Sequence, residues 1–335
     1  MHTSTRLAFL RFATLVIIAG CGGGGESAST TPTTPTAPTT PVAPATPVGP
    51  VGPLVVGQTY TDENGWLEYV PGNAPLVIIA PHGGSLAPSA LPDRVCAGCV
   101  TVNDANTQEL AREIISAFER RTGTKAHLVV NRLSRRKFDA NRDMGEATGG
   151  TIALQKPWAW LHAAVDSAKD ITTKRHGRGL VIDLHGHAHA VARLELGYLL
   201  SESELRQSDA TLTASSTMLR SSIAKLSTDS RSTTDRGVPM LRGPFSLGTL
   251  LASAGFPSVP SAQDPAPKVG EEYFNGGFNT QRHGSVQGGA LDAIQIECNF
   301  AGVRDAPNSR AAFATALANA LAIYFERHYG WKSSP

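Results

Sequence analysis

Three largely apolar runs in this chain each end on a residue with chemistry. Leu76-Val77-Ile78-Ile79-Ala80 runs into Pro81-His82-Gly83-Gly84-Ser85. Leu180-Val181-Ile182-Asp183-Leu184 runs into His185-Gly186-His187-Ala188-His189, and Ala293-Ile294-Gln295-Ile296 runs into Glu297. Short runs of this kind, without polar alternation, describe strands buried on both faces, as in a parallel sheet covered by helices.

Helical patterns fall around these runs. Thr107 to Arg121 puts Leu110, Ile114, Ala117 and Phe118 on one face and stops at Gly123. Pro157 to Lys169 and Arg310 to His328 read as two more helices, and Ala126 to Asn131 as a further strand. Tyr60 to Val70 reads as an opening hairpin turning at Glu63-Asn64-Gly65. Ser201 to Asp235, rich in Ser and Thr, reads as a helix with a mobile excursion. The alternation predicts an α/β domain of three layers, α/β/α, with a mostly parallel mixed sheet.

The N-terminal part has a different composition. Residues 1–20 read as an export signal: His2, Arg6 and Arg11 precede the apolar stretch from Phe12 to Ala19, which is too short for a permanent membrane span. Ile18-Ala19-Gly20-Cys21 resembles a bacterial lipobox. That resemblance implies a lipid on Cys21 and a lipid-anchored protein facing the periplasm or the cell exterior. Residues 21–53 are dominated by Thr, Pro, Ala, Gly and Val with Glu26 as the sole charge, which predicts a disordered, extended tether of about 3 Å per residue. Residues 54–335 are left for one α/β domain, a size a single core supports. Without Arg6 and Arg11 the chain carries 28 basic and 28 acidic residues, so no net basic surface points to a nucleic-acid partner. Cys96 and Cys99 can close a small disulfide loop in an oxidising compartment, leaving Cys298 free and buried. The strand-then-helix setting of a redox motif is missing around them, and no second Cys or His pair completes a zinc knuckle.

Ligands of open α/β sheets bind outside the carboxyl ends of the strands, which is where His82, His185 and Glu297 converge. Neutral imidazoles suit zinc, a catalytic zinc takes three protein ligands and leaves a position for water, and a nearby Glu can take the proton of that water. Each residue also has a plainer reading: a strand-end His bonded to backbone, a polar His loop, a strand-end ion pair.

Pro81-His82-Gly83-Gly84-Ser85, Asp139-Ala140-Asn141-Arg142, Ile182-Asp183-Leu184-His185-Gly186-His187 and Gln295-Ile296-Glu297 resemble, in order, the N-formylglutamate amidohydrolase family, which is similar in fold to the zinc carboxypeptidases. The resemblance runs from Pro81 to the last helix. It implies a zinc cofactor with His82 as first and His185 as last ligand, Glu297 as the catalytic carboxylate, and Asn141 with Arg142 as the pair that holds a substrate carboxylate. The Arg fork suits that role because it meets a carboxylate through two parallel hydrogen bonds.

One position departs from the pattern. Zinc carboxypeptidases carry a Glu three residues after the first His, where this chain has Ser85. Asp104, just before the helix at Thr107, is the expected replacement ligand; its alternative reading is a helix N-cap, and Asp93 is a weaker rival. Asp183 is read as pointing away from His185, in a supporting or structural role. Arg282 and His283, in the Gly-rich segment around Tyr273 to Ser285, are expected substrate contacts on a loop able to close over the site. The expected activity is zinc-dependent cleavage of an amide bond beside a carboxylate, in an N-formylglutamate-like, γ-glutamyl or peptide substrate. The alternative is a non-catalytic surface lipoprotein that binds a metal or an acidic ligand on the same fold.

Overall fold

The computed structural model describes residues 48–96 and 98–332. The expected signal segment, Cys21 and the tether up to residue 47 lie outside the described residues. Eight strands form one mixed sheet in the order β1-β2-β4-β3-β5-β8-β6-β7. They are β1 (Tyr60–Thr61), β2 (Leu67–Val70), β3 (Leu76–Ala80), β4 (His127–Asn131), β5 (Gly179–His187), β6 (Leu194–Gly197), β7 (Ser258–Val259) and β8 (Leu291–Asn299). The central four, β4-β3-β5-β8, are parallel. The opening hairpin adds β2 antiparallel to β4, and β6 runs antiparallel to β8.

The apolar runs form strands because both of their faces are covered. Ile78, Leu128, Ile182 and Ile294 point to the layer made by the Thr107–Thr122 and Pro307–Tyr324 helices. Val77, Ile79, Val129, Val181 and Ala293 point the other way, onto Leu161, Ala164, Val165 and Ala168 of the Gln155–His176 helix. This is the expected three-layer α/β/α arrangement. The Thr107–Thr122 helix ends at Gly123 in the left-handed region, as its sequence predicts.

Several elements differ from their sequence signals. β5 and β8 reach three residues beyond their apolar runs, so His185 and Glu297 stand inside strands and pair directly in register. The strand interior tolerates them because the neighbouring strands satisfy the backbone. Residues 201–235 form a series of short helical turns rather than one helix with an excursion. The expected loop at Arg282 and His283 contains the short helix Phe278–His283.

The connection order creates the crevice. The chain leaves β3 for β4 on one side, then returns across β3 to β5 on the other. The carboxyl ends of β3 and β5 therefore flank a topological switch point, where the crossover loops part.

The opposite end of β8 is tied down by Asp292. Its carboxylate accepts from Ser285 Oγ at 2.6 Å, Leu226 N at 3.1 Å and Tyr329 Oη at 3.0 Å. Burial nevertheless pushes the carboxyl up to about 6. The folded state thus favours the protonated acid. That stability is fully present below about 3.8, the unfolded value, and is lost as pH rises through about 6. Asp292→Asn is expected to become more stable than the wild type by up to about 3 kcal/mol between pH 4 and 7, read from urea unfolding at both pH values. An unchanged difference between the two proteins across that range would contradict this account of Asp292.

Candidate functional site

His82 follows β3, and its carbonyl accepts from Asp104 N at 3.0 Å. This one backbone bond brings the end of a long loop back beside the strand. Gly83 and Gly84 allow the approach: a Cβ on Gly83 would sit 2.5 Å from Thr107 Oγ1, and one on Gly84 would sit 2.3 Å from the Arg132 backbone. Asp104 Oδ2 then lies 3.4 Å from His82 Nδ1 and 3.2 Å from His185 Nδ1, and it accepts from Gly186 N at 3.1 Å. The ligand-capable atoms of the three residues all lie within 4.8 Å of one another, and all three side chains are buried.

Both imidazoles are held from behind. His82 Nε2 lies 2.6 Å from Asp139 Oδ1, and His185 Nε2 lies 3.0 Å from Asp183 Oδ2. The Asp139 carboxylate on His82 Nε2 fixes that ring's tautomer and leaves its Nδ1 bare as a donor of its lone pair, whereas His185 Nε2 also meets the Asn141 amide Nδ2 at 3.2 Å and its Nδ1 meets Asp104 Oδ2. His82 Nδ1 is buried without a hydrogen-bond partner. Asp183 is on the same face as His185, since residues two apart on a strand share a face, which corrects the expectation that it points away.

This donor set fits a divalent metal. Tetrahedral ligands about 2.1 Å from a cation stand about 3.4 Å apart, which matches both Asp104 separations. Burial works against charge on Asp104, but the His82 and His185 rings hold its carboxyl well below the usual carboxylate range. Burial likewise opposes charge on His185, while Asp183, Asp104 and Glu297 hold the ring well above its ordinary value. A deeply buried site that concentrates this much negative charge against two rings is matched by a cation.

Glu297 Oε1 lies 4.0 Å from His185 Nδ1 and accepts from Gln295 Nε2 at 2.9 Å, while its Oε2 is buried without a partner. Burial pushes this carboxyl up, His185 opposes the shift, and Asp104, Glu195 and Asp183 reinforce it. A chamber of about 150 Å³ joins His82, Asp104, His185 and Glu297 to Arg135 and Arg142. The Arg142 guanidinium lies between Glu146 Oε1 at 2.9 Å and Asn141 O at 2.8 Å, partly exposed. Asn141 lines the same chamber, and its Oδ1 accepts from Asn279 N at 2.7 Å. Its amide therefore brackets the loop of Gly277, where a Cβ would sit 2.5 Å from Asn141 Nδ2.

Of the remaining expected residues, Asp104 belongs to the site and the others lie elsewhere. The Asp104 side chain faces the two imidazoles, and no side-chain cap is made at Asn106, the residue that opens the helix. Asp93 is half exposed and pairs with Lys137 at 2.6 Å, away from the imidazoles. Arg282 lies over the Trp158 ring, and His283 is buried against His162 Nδ1 at 3.2 Å; neither lines the chamber. Their positions follow from the helix that replaced the expected loop. The cysteine pair Cys96–Cys99 is joined and Cys298 is free and buried.

Further residues complete the site. Asp139 stands behind His82 and also accepts from Arg135 Nε at 3.1 Å. Its signal was its place at the head of Asp139-Ala140-Asn141-Arg142. Arg135 reaches Asp104 Oδ1 at 3.4 Å as well. A second cluster, His187, His189 and Glu195, is a hydrogen-bonded knot. His187 Nε2 is 2.8 Å from Arg193 O and its Nδ1 accepts from His189 N, so both ring nitrogens are taken.

No family model and no curated protein matches the chain. Among solved structures it is similar to the N-formylglutamate amidohydrolase of Ralstonia eutropha JMP134, at 14% identity over 79% of this chain and 99% of that one, TM-score 0.45. It is similar to the gene product Atu2144 of Agrobacterium tumefaciens, at 13% identity over 75% and 91%, TM-score 0.43. The N-acetylmuramyl-L-alanine amidase of Mycobacterium smegmatis is similar at 13% identity over 74% and 95%, TM-score 0.33. Likenesses this distant leave the chemistry to be argued from the residues.

Asp139→Asn and Asp183→Asn are each expected to weaken divalent-metal binding by about 10- to 100-fold with the fold intact, measured by competition against a coloured chelator. Unchanged affinity in both variants would mean that the metal does not sit at Nδ1 of the two rings.

Proposed function

We propose that this protein is a zinc-dependent amide hydrolase whose substrate carries a carboxylate beside the scissile bond. The observation that carries the reading is His82: its Nε2 is held by Asp139 while its buried Nδ1 faces Asp104 without a partner. His82 Nδ1, an Asp104 oxygen and His185 Nδ1 would hold the ion. Two imidazoles and one carboxylate form the donor set of catalytic rather than structural zinc. Zinc in this position supplies Lewis acidity toward a substrate carbonyl and an attacking water.

The chain's own residues do the rest. Glu297 takes a proton from the attacking water and returns it to the leaving amine nitrogen as the C–N bond breaks. The hydroxyl ends on the acyl carbon, and the products are a carboxylic acid and an amine. Burial favours the protonated form that the second half of this exchange needs, and a cation beside the group favours the carboxylate that the first half needs. Gln295 orients Glu297 through its Oε1. Arg142, on the chamber wall, binds the substrate carboxylate in exchange for its partly exposed partner Glu146. Arg135 is tied to Asp139 and Asp104 and holds those carboxylates in place.

Export and lipid attachment at Cys21 complete the proposal on sequence grounds alone, and they favour peptides, γ-glutamyl polymers or wall fragments over free N-formylglutamate as substrates. A protein at the cell surface meets amides of these kinds.

The test is release of amine from N-formylglutamate, γ-glutamyl peptides and carboxyl-terminal dipeptides by the purified, zinc-supplied protein. Glu297→Gln is expected to lower kcat at least 100-fold with zinc content unchanged. Arg142→Ala is expected to raise KM by roughly 10- to 100-fold, since a hydrogen bond to a charged group contributes about 1.5–3 kcal/mol. Intact substrates throughout, or a Glu297→Gln variant as active as the wild type, would overturn the reading.

A further inference from the structure

The chamber around Glu297 adjoins a second one. The two share Val100, Asp104, Arg135, Gly186 and Phe274 as their common wall. The outer chamber is about 380 Å³ against about 150 Å³ for the inner. Arg142, His82 and Glu297 line only the inner chamber, whereas Val102, Ala188 and Phe300 line only the outer.

The outer wall is unusual in what it shows to solvent. Val102 is 74% exposed, Val100 49%, Phe300 45% and Phe274 44%. Four large apolar side chains grouped on one cavity wall lose water-exposed area only when something apolar lies across them. Two of them are held in place. Phe274 N donates to the buried Glu195 Oε2 at 2.7 Å, and its ring stacks 4.5 Å from His189, whose Nδ1 is 2.9 Å from Glu195 Oε1. The Phe300 ring is covered on one side by Arg304 at 5.3 Å, and that guanidinium is bonded to Cys298 O and His187 O. The His187–His189–Glu195 knot thus sets the wall between the chambers.

We infer that the outer chamber is a subsite for an apolar acyl chain, so that the substrates are N-acyl acidic amino acids or peptides whose acyl group is several carbons long. This rests on the proposed hydrolase. With the substrate carboxylate at Arg142 and the amide beside Glu297, the acyl side of the amide points past Asp104 and Phe274, toward Val102 and Phe300. A formyl group ends before that wall and leaves the apolar surface wet.

Binding and turnover are measured separately on the zinc-supplied protein with N-formyl-, N-butanoyl- and N-octanoyl-glutamate. Each methylene that reaches the wall adds up to about fourfold in affinity, so the octanoyl compound is expected to bind at least about 30-fold tighter than the formyl one. Val102→Asp and Phe300→Ser, both at exposed positions, are expected to remove that gain and leave N-formylglutamate binding unchanged, with thermal unfolding confirming intact folds. Equal affinity along the series, absence of binding, or a gain that survives both substitutions overturns the subsite. Rising affinity with neither these compounds nor the γ-glutamyl peptides and dipeptides cleaved supports the subsite and refutes the hydrolase. Cleavage with flat affinity does the reverse.

Discussion

The site depends on two carboxylate–imidazole contacts, Asp139 to His82 and Asp183 to His185. Each fixes one ring so that its Nδ1 faces the same carboxylate, Asp104. Without them the rings would be free to turn, and a buried nitrogen without a partner would take the nearest hydrogen bond instead. The parallel pairing of β3, β5 and β8 sets where these contacts can form, because it brings the residues just after β3 beside the last residues of β5, which pair in register with those of β8. Register therefore serves chemistry directly: His185 opposite Glu297, and Asp183 opposite Gln295. One face of two adjacent strands supplies a ring, its support, an acid and the amide that orients it.

Much of this was legible in the sequence because burial on both faces leaves a continuous apolar run. β3 ends where its run ends. β5 and β8 do not, since tertiary pairing carries polar residues into the strand and no local signal marks that. His82, His185 and Glu297 could be placed together because strand ends converge in any parallel sheet. Asp104 was ambiguous because a carboxylate before a helix has two uses, and only the backbone bond to His82 decides between them. Asp139 stands 57 residues from the ring it supports, beyond the reach of any spacing argument. Arg282 and His283 stand outside the chamber, in a short helix that a Gly-rich segment does not disclose. The strands β6 and β7, four and two residues long, left no pattern at all.

The electrostatics of the site follow from its depth. Asp104, Asp183, Glu195 and Glu297 come together in a volume with little water, where like charges are costly. Two imidazoles and Arg135 offset part of that cost. A divalent cation held between the rings would offset more, and at closer range, than any of these side chains. The surrounding groups are also committed to one another. Gln295 is bonded to Glu297, Asn141 to the backbone of Asn279, and Asn279 in turn to Asp183.

The backbone bond from Asp104 N to His82 O has a consequence for how such a protein can change. It closes the intervening stretch as a loop whose two feet are fixed at His82 and Asp104. The middle of that loop carries the joined cysteines, and its descending arm carries Val100 and Val102 on the wall of the outer chamber. Insertions or substitutions between the feet can therefore reshape which substrate enters while the ligand geometry stays still. The shape of the outer chamber and the arrangement of the two imidazoles are in this sense inherited separately, and a lineage could alter the one without passing through a form that has lost the other.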